Sequence, residues 1–290
     1  MSLPVDPGPD PSPRPAGFRA PPGSCDTHFH VFEHSPRYPM SPARGYTPAK
    51  ATNEDFRRML RALGLQRAVL VHPTTYGTDN RLLLDVLRDN PDYRGVAVVD
   101  LNVTDAQLEE LDRAGVKGIR ITAVSAGGVP LGQLDALCAR IAPLKWHLQL
   151  FARAEKLLEL APRLPKLPVP VVLDHFGGLT TAHAGSRELD TLRGLLGTGR
   201  IWLKLSAAYR VSLGGPPYAD VLPLARALID KAPDRLLWGS DWPHPKLHGK
   251  PMLNDGDLLG LLGTWAPEEP LRRRILADNP AALYGFPTAA

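Results

Sequence analysis

The stretch that decides the fold is Cys25-Asp26-Thr27-His28-Phe29-His30-Val31-Phe32, a short, largely apolar run carrying two histidines one residue apart. In a strand, residues i and i+2 point to the same side, so His28 and His30 share a face. Seven more apolar, β-branched runs follow: Ala68 to His72, Gly95 to Asp100, Gly118 to Thr122, Leu148 to Phe151, Val169 to Asp174, Ile201 to Ser206 and Leu236 to Asp241. Their ends recur about every 30 residues, the length of one strand and its crossover helix.

The stretches between these runs carry helix signals. Thr52 with Asp55 and Thr104 with Gln107 have the spacing of capping boxes, and Gly115 closes the helix begun at Thr104. Leu82, Val86 and Leu87, and later Leu134, Leu137 and Ile141, recur at helical spacing and are expected to pack on the sheet. Alternating units with near-continuous apolar strands predict an α/β fold, a closed parallel (β/α)8 TIM barrel. A doubly wound open sheet is the competing solution.

With 290 residues, 43% hydrophobic and 22% charged, the chain suffices for one full core, so a single domain over residues 23–290 is expected. Eight of the 31 prolines fall in the first 22 positions, and such a segment nucleates neither a helix nor a ladder. Residues 1–22 therefore read as a flexible or extended arm. The 34 basic and 30 acidic residues leave a charge of +4 and are interspersed, so nothing demands nucleic acid. Cys25 and Cys138 form neither a disulfide framework nor a C-x-x-C pair, which points to a reducing compartment. No run approaches the roughly 20 apolar residues that cross a bilayer, and the N-terminus lacks a charged-then-apolar leader. A cytoplasmic protein acting on a small molecule is expected.

In a barrel of this kind the reactive groups sit at the C-terminal ends of the strands. The first run displays His28 and His30 there. The sixth ends Val171-Val172-Leu173-Asp174-His175-Phe176-Gly177-Gly178, bringing a third imidazole to the same rim. The eighth ends Leu237-Trp238-Gly239-Ser240-Asp241-Trp242-Pro243-His244-Pro245, so a carboxylate directly follows an apolar run. Such a set can activate water: Asp241 takes its proton while His28, His30 and His175, directly or through a divalent ion, polarise the carbonyl under attack. His244, just behind, orients that base, contacts substrate or shapes the loop. The convergence favours the barrel over the open sheet, and hydrolysis as the chemistry.

These motifs, with Asp278-Asn279-Pro280-Ala281-Ala282-Leu283-Tyr284 near the terminus, resemble the amidohydrolase superfamily from Pro22 to Phe286. Within it they are similar to a lactone-hydrolase branch that includes 2-pyrone-4,6-dicarboxylate, 4-sulfomuconolactone and sugar-lactone hydrolases. The resemblance implies the (β/α)8 fold and ring opening of a cyclic ester by water, with Asp241 as general base. It also implies substrate contacts at Tyr46, at Thr74 and Thr75 in the loop after the second strand, at Arg120 near the end of the fourth, and at Arg210 after the seventh. Guanidinium groups grip carboxylates through paired hydrogen bonds, so two at one rim favour an anionic substrate. The sequence departs from the pyrone hydrolases at Ala123-Val124-Ser125-Ala126-Gly127-Gly128, which lacks their further basic pair, and at Phe151 and Arg153, which replace a tyrosine and an acidic residue. A related lactone with one acidic group or several hydroxyls therefore fits better than the pyrone dicarboxylate.

Superfamily members with two metals use a carboxylated lysine at the end of the fourth strand. Here that end is Arg120-Ile121-Thr122, and Lys117 lies at the other end, which argues against a binuclear centre. Lys204 reads as structural or substrate-facing, and His72 as a modifier of the site. His28, His30, His175 and Asp241 suit a single Zn²⁺ or Mn²⁺, with no metal as the alternative. The rival activities are a metal-dependent decarboxylase and a lactone isomerase of the same superfamily. A non-catalytic binding barrel is the rival from another class, and the complete water-activating set argues against it.

Overall fold

The computed structural model describes residues 5–124 and 128–287. Its sheet holds β1 (Cys25–Phe29), β2 (Arg67–Val71), β3 (Tyr93–Ala97), β4 (Val116–Thr122), β5 (His147–Phe151), β6 (Val171–Leu173), β7 (Ile201–Ser206) and β8 (Leu236–Gly239), side by side in that order. Every pairing from β1 through β8 is parallel. The expected runs all appear as strands. Five end before the expected residue, at Phe29, Val71, Ala97, Leu173 and Gly239, and the sixth also begins later, at Val171.

The first six crossovers contain α1 (Asn53–Ala62), α2 (Arg81–Arg88), α3 (Asp105–Arg113), α4 (Leu134–Ile141), α5 (Ala154–Leu160) and α6 (Arg187–Leu196). The one-turn α7 (Ala208–Val211) and α8 (Leu222–Lys231) follow β7, and α9 (Asp255–Trp265), α10 (Glu269–Arg273) and α11 (Asn279–Tyr284) follow β8. Both expected capping boxes form: Thr52 with Asp55 opens α1, and Thr104 with Gln107 opens α3. Each satisfies N-terminal amides that the helix leaves unpaired. Leu82, Val86 and Leu87 of α2 and Leu134, Leu137 and Ile141 of α4 are buried against the sheet, as their spacing predicts.

The barrel closes between β8 and β1 through main-chain bonds from Asp241 N to the His28 carbonyl (2.9 Å) and from His30 N to the Trp242 carbonyl (2.8 Å). A buried carboxylate reinforces that seam. Asp26 accepts from the amides of His28 and Ser240 (both 3.0 Å) and from the Ser240 hydroxyl (2.5 Å), where the β1 register slips. Gly239 allows the close approach, since a Cβ there would lie 2.6 Å from that of His28.

Inside the barrel, Cys25, Val69, Val172 and Leu237 form an apolar layer plugged by Tyr284 and Phe286. Asn279 of the terminal motif is structural: its side-chain amide donates to the Pro233 and Leu236 carbonyls (2.8 and 2.7 Å), tying α11 to the start of β8. Toward the other end the interior turns polar, with Gln149, Asp174 and Lys204 fully enclosed. Residues 5–22 form no helix, as their composition predicts, but they do not hang free. They lie along the barrel against α9 and the loop after β8.

Candidate active site at the mouth of the barrel

His28 and His30 leave β1 with their rings 5.0 Å apart, and the ring of His175, just beyond β6, lies 4.8 Å from that of His28. His175 and Asp241 adopt positive φ (49° and 63°). Such conformations cost non-glycine residues free energy and recur where a side chain is aimed by its surroundings. All four groups are buried. One oxygen of Asp241, Oδ1, stands 3.6 Å from His28 Nε2, 3.6 Å from His30 Nε2 and 3.7 Å from His175 Nε2. The other, Oδ2, accepts from Tyr209 Oη at 2.6 Å and Arg210 Nε at 3.3 Å. Burial alone would raise the Asp241 pKa, but His175, Arg210 and the His30 contact outweigh it and hold the carboxyl well below the usual range.

The far nitrogens of the imidazoles are engaged elsewhere. His30 Nδ1 lies 2.7 Å from the Val71 carbonyl, His175 Nδ1 2.8 Å from Ser206 Oγ, and His28 Nδ1 3.2 Å from Asp174 Oδ1. A carbonyl only accepts, so His30 carries its proton on Nδ1, while His28 Nδ1 lies between the Asp174 carboxylate and Lys204 Nζ at 3.4 Å. A neutral ring then presents a bare Nε2 lone pair to the Asp241 carboxylate. That is repulsive unless a cation lies among the four atoms or a ring gains a second proton. Burial opposes the second proton, pushing the His175 pKa down to about 4 and those of His28 and His30 below normal.

The residues present therefore fit a divalent ion. Ligand atoms of His28, His175 and Asp241 lie within 4.8 Å of one another, His30 adjoins them, and outward Nδ1 contacts of this kind orient metal-binding imidazoles. Lys117, at the start of β4, pairs with Asp112 at 3.4 Å and is not part of the site. Lys204 donates to the Thr27 carbonyl (2.7 Å) and Gln149 Oε1 (2.8 Å) beneath the site, and burial pushes its pKa down to about 8. Lys204 is thus structural, not substrate-facing.

Above these groups opens a cavity of about 360 Å³ with His30, His175 and Asp241 in its floor. Tyr46, Thr74, Arg120 and Arg210, all singled out in the sequence, lie on its wall. Thr75 and His244 do not. Thr75 is fully enclosed behind the wall, and His244 turns toward Asp255, with Nε2 3.2 Å from its Oδ1. His72 is buried as well, held neutral by burial with a pKa of about 3. Of the segment expected to lack a basic pair, Val124 borders the cavity, while 125–127 lie outside the described residues.

Four groups at the site escaped the sequence reading. Tyr209 donates to Asp241, Lys246 and Thr122 line the cavity, and Asp174 holds two cations, Arg120 Nη2 at 3.2 Å and Lys204 at 3.7 Å, beside the neutral ring of His28 at 3.2 Å. Asp174 was in view beside His175, and Tyr209 beside Arg210. Their neighbours drew the attention because a histidine and an arginine suggest chemistry that a strand-end aspartate or a tyrosine does not. Among the described lining residues, Arg120, Arg153, Arg210 and Lys246 set four cations against the single carboxylate of Asp241. Arg210 is partly committed, to Asp241 and to the Pro245 carbonyl at 2.6 Å. Arg120 keeps a buried Nε–H without a partner.

Comparison with known proteins shows the family and the fold. The amidohydrolase family matches residues 25–286. A 4-sulfomuconolactone hydrolase of Hydrogenophaga intermedia is 42% identical over 287 residues, covering 96% of this chain and 94% of that protein. A 2-pyrone-4,6-dicarboxylate hydrolase of Comamonas testosteroni is 36% identical, covering 92% of each. The crystal structure of a probable 2-pyrone-4,6-dicarboxylic acid hydrolase from Acinetobacter baumannii, with citric acid bound, superposes with a TM-score of 0.80 at 27% identity. It covers 91% of this chain and 100% of that one.

Proposed function

Because this chain belongs to the amidohydrolase family, we propose that it is a hydrolase opening a small anionic lactone by attack of water, with Asp241 as general base. The observation that carries the reading is the position of Asp241. One oxygen faces three imidazole nitrogens, the other is anchored by Tyr209 and Arg210, and both lie at the floor of a cavity lined by cations. Its depressed pKa keeps the carboxylate ionised at neutral pH and ready to accept a proton. The same depression makes it a weak base, so polarisation of the carbonyl must carry part of the rate.

Neutral His30 cannot supply that polarisation by donating a hydrogen bond, since its proton is committed to the Val71 carbonyl. We therefore favour one divalent ion, Zn²⁺ or Mn²⁺, held by His28, His30, His175 and Asp241. Bound there, such an ion supplies Lewis-acid polarisation of a carbonyl and lowers the pKa of water. The chain's own residues orient and enclose the substrate. Arg120 offers its unpartnered donor to a carboxylate, Arg153 and Lys246 add positive field, and Tyr46, Thr74 and Thr122 supply hydroxyls. Lys246 and Arg153 answer for the missing basic pair after β4, and they widen the expected substrates to lactones carrying two anionic groups.

No described helix is long and apolar enough to cross a membrane. The two unpaired, buried cysteines favour a cytoplasmic location. The test is a panel of muconolactones, pyrone carboxylates and sugar-acid lactones in ¹⁸O-water, with metal content measured on the same preparation. Ring-opened product carrying one ¹⁸O, from protein holding about one equivalent of Zn or Mn, is the expected result. Rearranged lactone without label would make it an isomerase, released CO2 a decarboxylase, and no turnover with or without added metal would make it a binding barrel.

A further inference from the structure

The proline-rich arm is seated in a prepared groove. A Cβ on Gly256, in the first turn of α9, would lie 2.2 Å from the carbonyl oxygen of Arg14, and one on Gly263, two turns on, 3.0 Å from the ring of Phe18. Those two glycines open the face on which the arm lies. Asn254, which caps α9 by accepting from Gly256 N, also accepts from Arg14 N at 3.2 Å and donates to Asp10 Oδ2 at 2.8 Å and the Ser12 carbonyl at 3.1 Å. The cap of the helix and the clasp of the arm are one side chain.

From this dock the arm reaches the mouth. Asp6 N donates to the Thr47 carbonyl at 3.1 Å beside a bridge between Val5 and Thr47. Only 7% of Asp6 is exposed, and its Oδ1 lies 2.9 Å from His248 Nδ1. Burial pushes its carboxyl up, while the main-chain N–H groups of Lys246 and Leu247 and the charges of His248 and Arg210 draw it back. One aspartate thus joins the loop carrying Tyr46 to the loop carrying Lys246. Both of those side chains line the substrate cavity, and Lys246 Nζ lies 5.5 Å from the centre of the Tyr46 ring.

We propose that the N-terminal arm is a strap in which Asp6 is a positioning residue. It fixes the loops around residues 44–48 and 245–248 at the spacing that places Tyr46 and Lys246 on the cavity, so the substrate pocket is complete only with the arm docked. The substrate consequence rests on the lactone reading; the strap does not. Two variants separate them: Asp6→Ala, which removes the side-chain tie to residues 245–248 and keeps the main-chain bond to Thr47, and Gly256→Ala, which obstructs the dock while improving helix propensity, so that loosening cannot be charged to a weaker helix.

Hydrogen exchange on the full chain is the first readout. Amides in 245–248 should exchange about tenfold faster in both variants, and those in 44–48 in Gly256→Ala, while β-strand amides stay as in the parent. With the lactone that the parent opens, KM should rise about fivefold and kcat stay within about twofold. Unchanged exchange in both loops overturns the strap whatever the enzyme's substrate. Loosened loops with unchanged KM overturn its part in the pocket, and absence of any lactone turnover by the parent protein counts against the lactone reading alone.

Discussion

The two oxygens of Asp241 face different surroundings, and the side chains around them divide accordingly. Oδ1 looks toward the imidazoles and the cavity, whereas Oδ2 is held by Tyr209 and Arg210. Arg120 touches neither oxygen and pairs instead with Asp174. The expected kinetic signatures therefore differ. Arg210→Met and Tyr209→Phe should lower kcat at least about tenfold, because each removes a hydrogen bond to a charged oxygen worth roughly 1.5–3 kcal/mol. Arg120→Met should mainly raise KM for an anionic lactone by a comparable factor. Steady-state kinetics of the three variants checks this, and equal effects on KM alone would return Arg210 to a simple substrate clamp. The sequence offered Arg120 and Arg210 as equivalents, since the family resemblance implied a substrate contact for each. Only the structure shows that one of them spends its Nε on Asp241.

Among the elements, β1 and β8 carry the account, since their seam fixes His28, His30 and Asp241 relative to one another. Asp26 holds that seam with three accepted hydrogen bonds, all buried. Asp26→Ala would strand two main-chain donors and leave the Ser240 hydroxyl only the His28 carbonyl at 3.3 Å, and it should cost about 3 kcal/mol. Urea unfolding measures it, and a loss below about 1 kcal/mol would mean that the main-chain bonds close the barrel unaided. The strands and both capping boxes were legible because their signals are local: apolar runs, and a hydroxyl three residues before a carboxylate or amide. The seam was not. Asp26 stood in view beside His28, but its partners at Ser240 lie 214 residues away and no pattern near Asp26 points to them. The overshoot of the predicted first strand has a local origin, since Val31 and Phe32 continue its apolar pattern past Phe29, where the strand stops.

For the whole molecule, several buried histidines make stability depend on pH. His147, packed against Tyr284, and His72 are held by burial at pKa values of about 3. In the unfolded chain they titrate near 6.5. Between those values the unfolded state binds protons that the folded state refuses, so each histidine should reduce stability by about 1.4 kcal/mol per unit as pH falls from 6.5 toward 3. Asp26, lifted by burial to about 7, acts in the opposite direction below that pH and offsets part of the loss. His147→Asn should flatten the acid slope by about 1.4 kcal/mol per unit in denaturant titrations, and an unchanged slope would show that His147 is protonated inside the fold. At this scale composition misled in one respect. The described part of the arm, residues 5–22, has no helix but does make one bridge, Val5 to Thr47; a proline count says nothing about a docking partner, and the clue lay far away in the glycines of α9. The central claim is that Asp241, at the convergence of His28, His30 and His175, takes the proton from the attacking water. It is tested most directly by the initial rate of lactone opening by Asp241→Asn at neutral pH, alongside its circular dichroism. The account predicts an unchanged spectrum with a rate reduced about a thousandfold; a near-parental rate would contradict it.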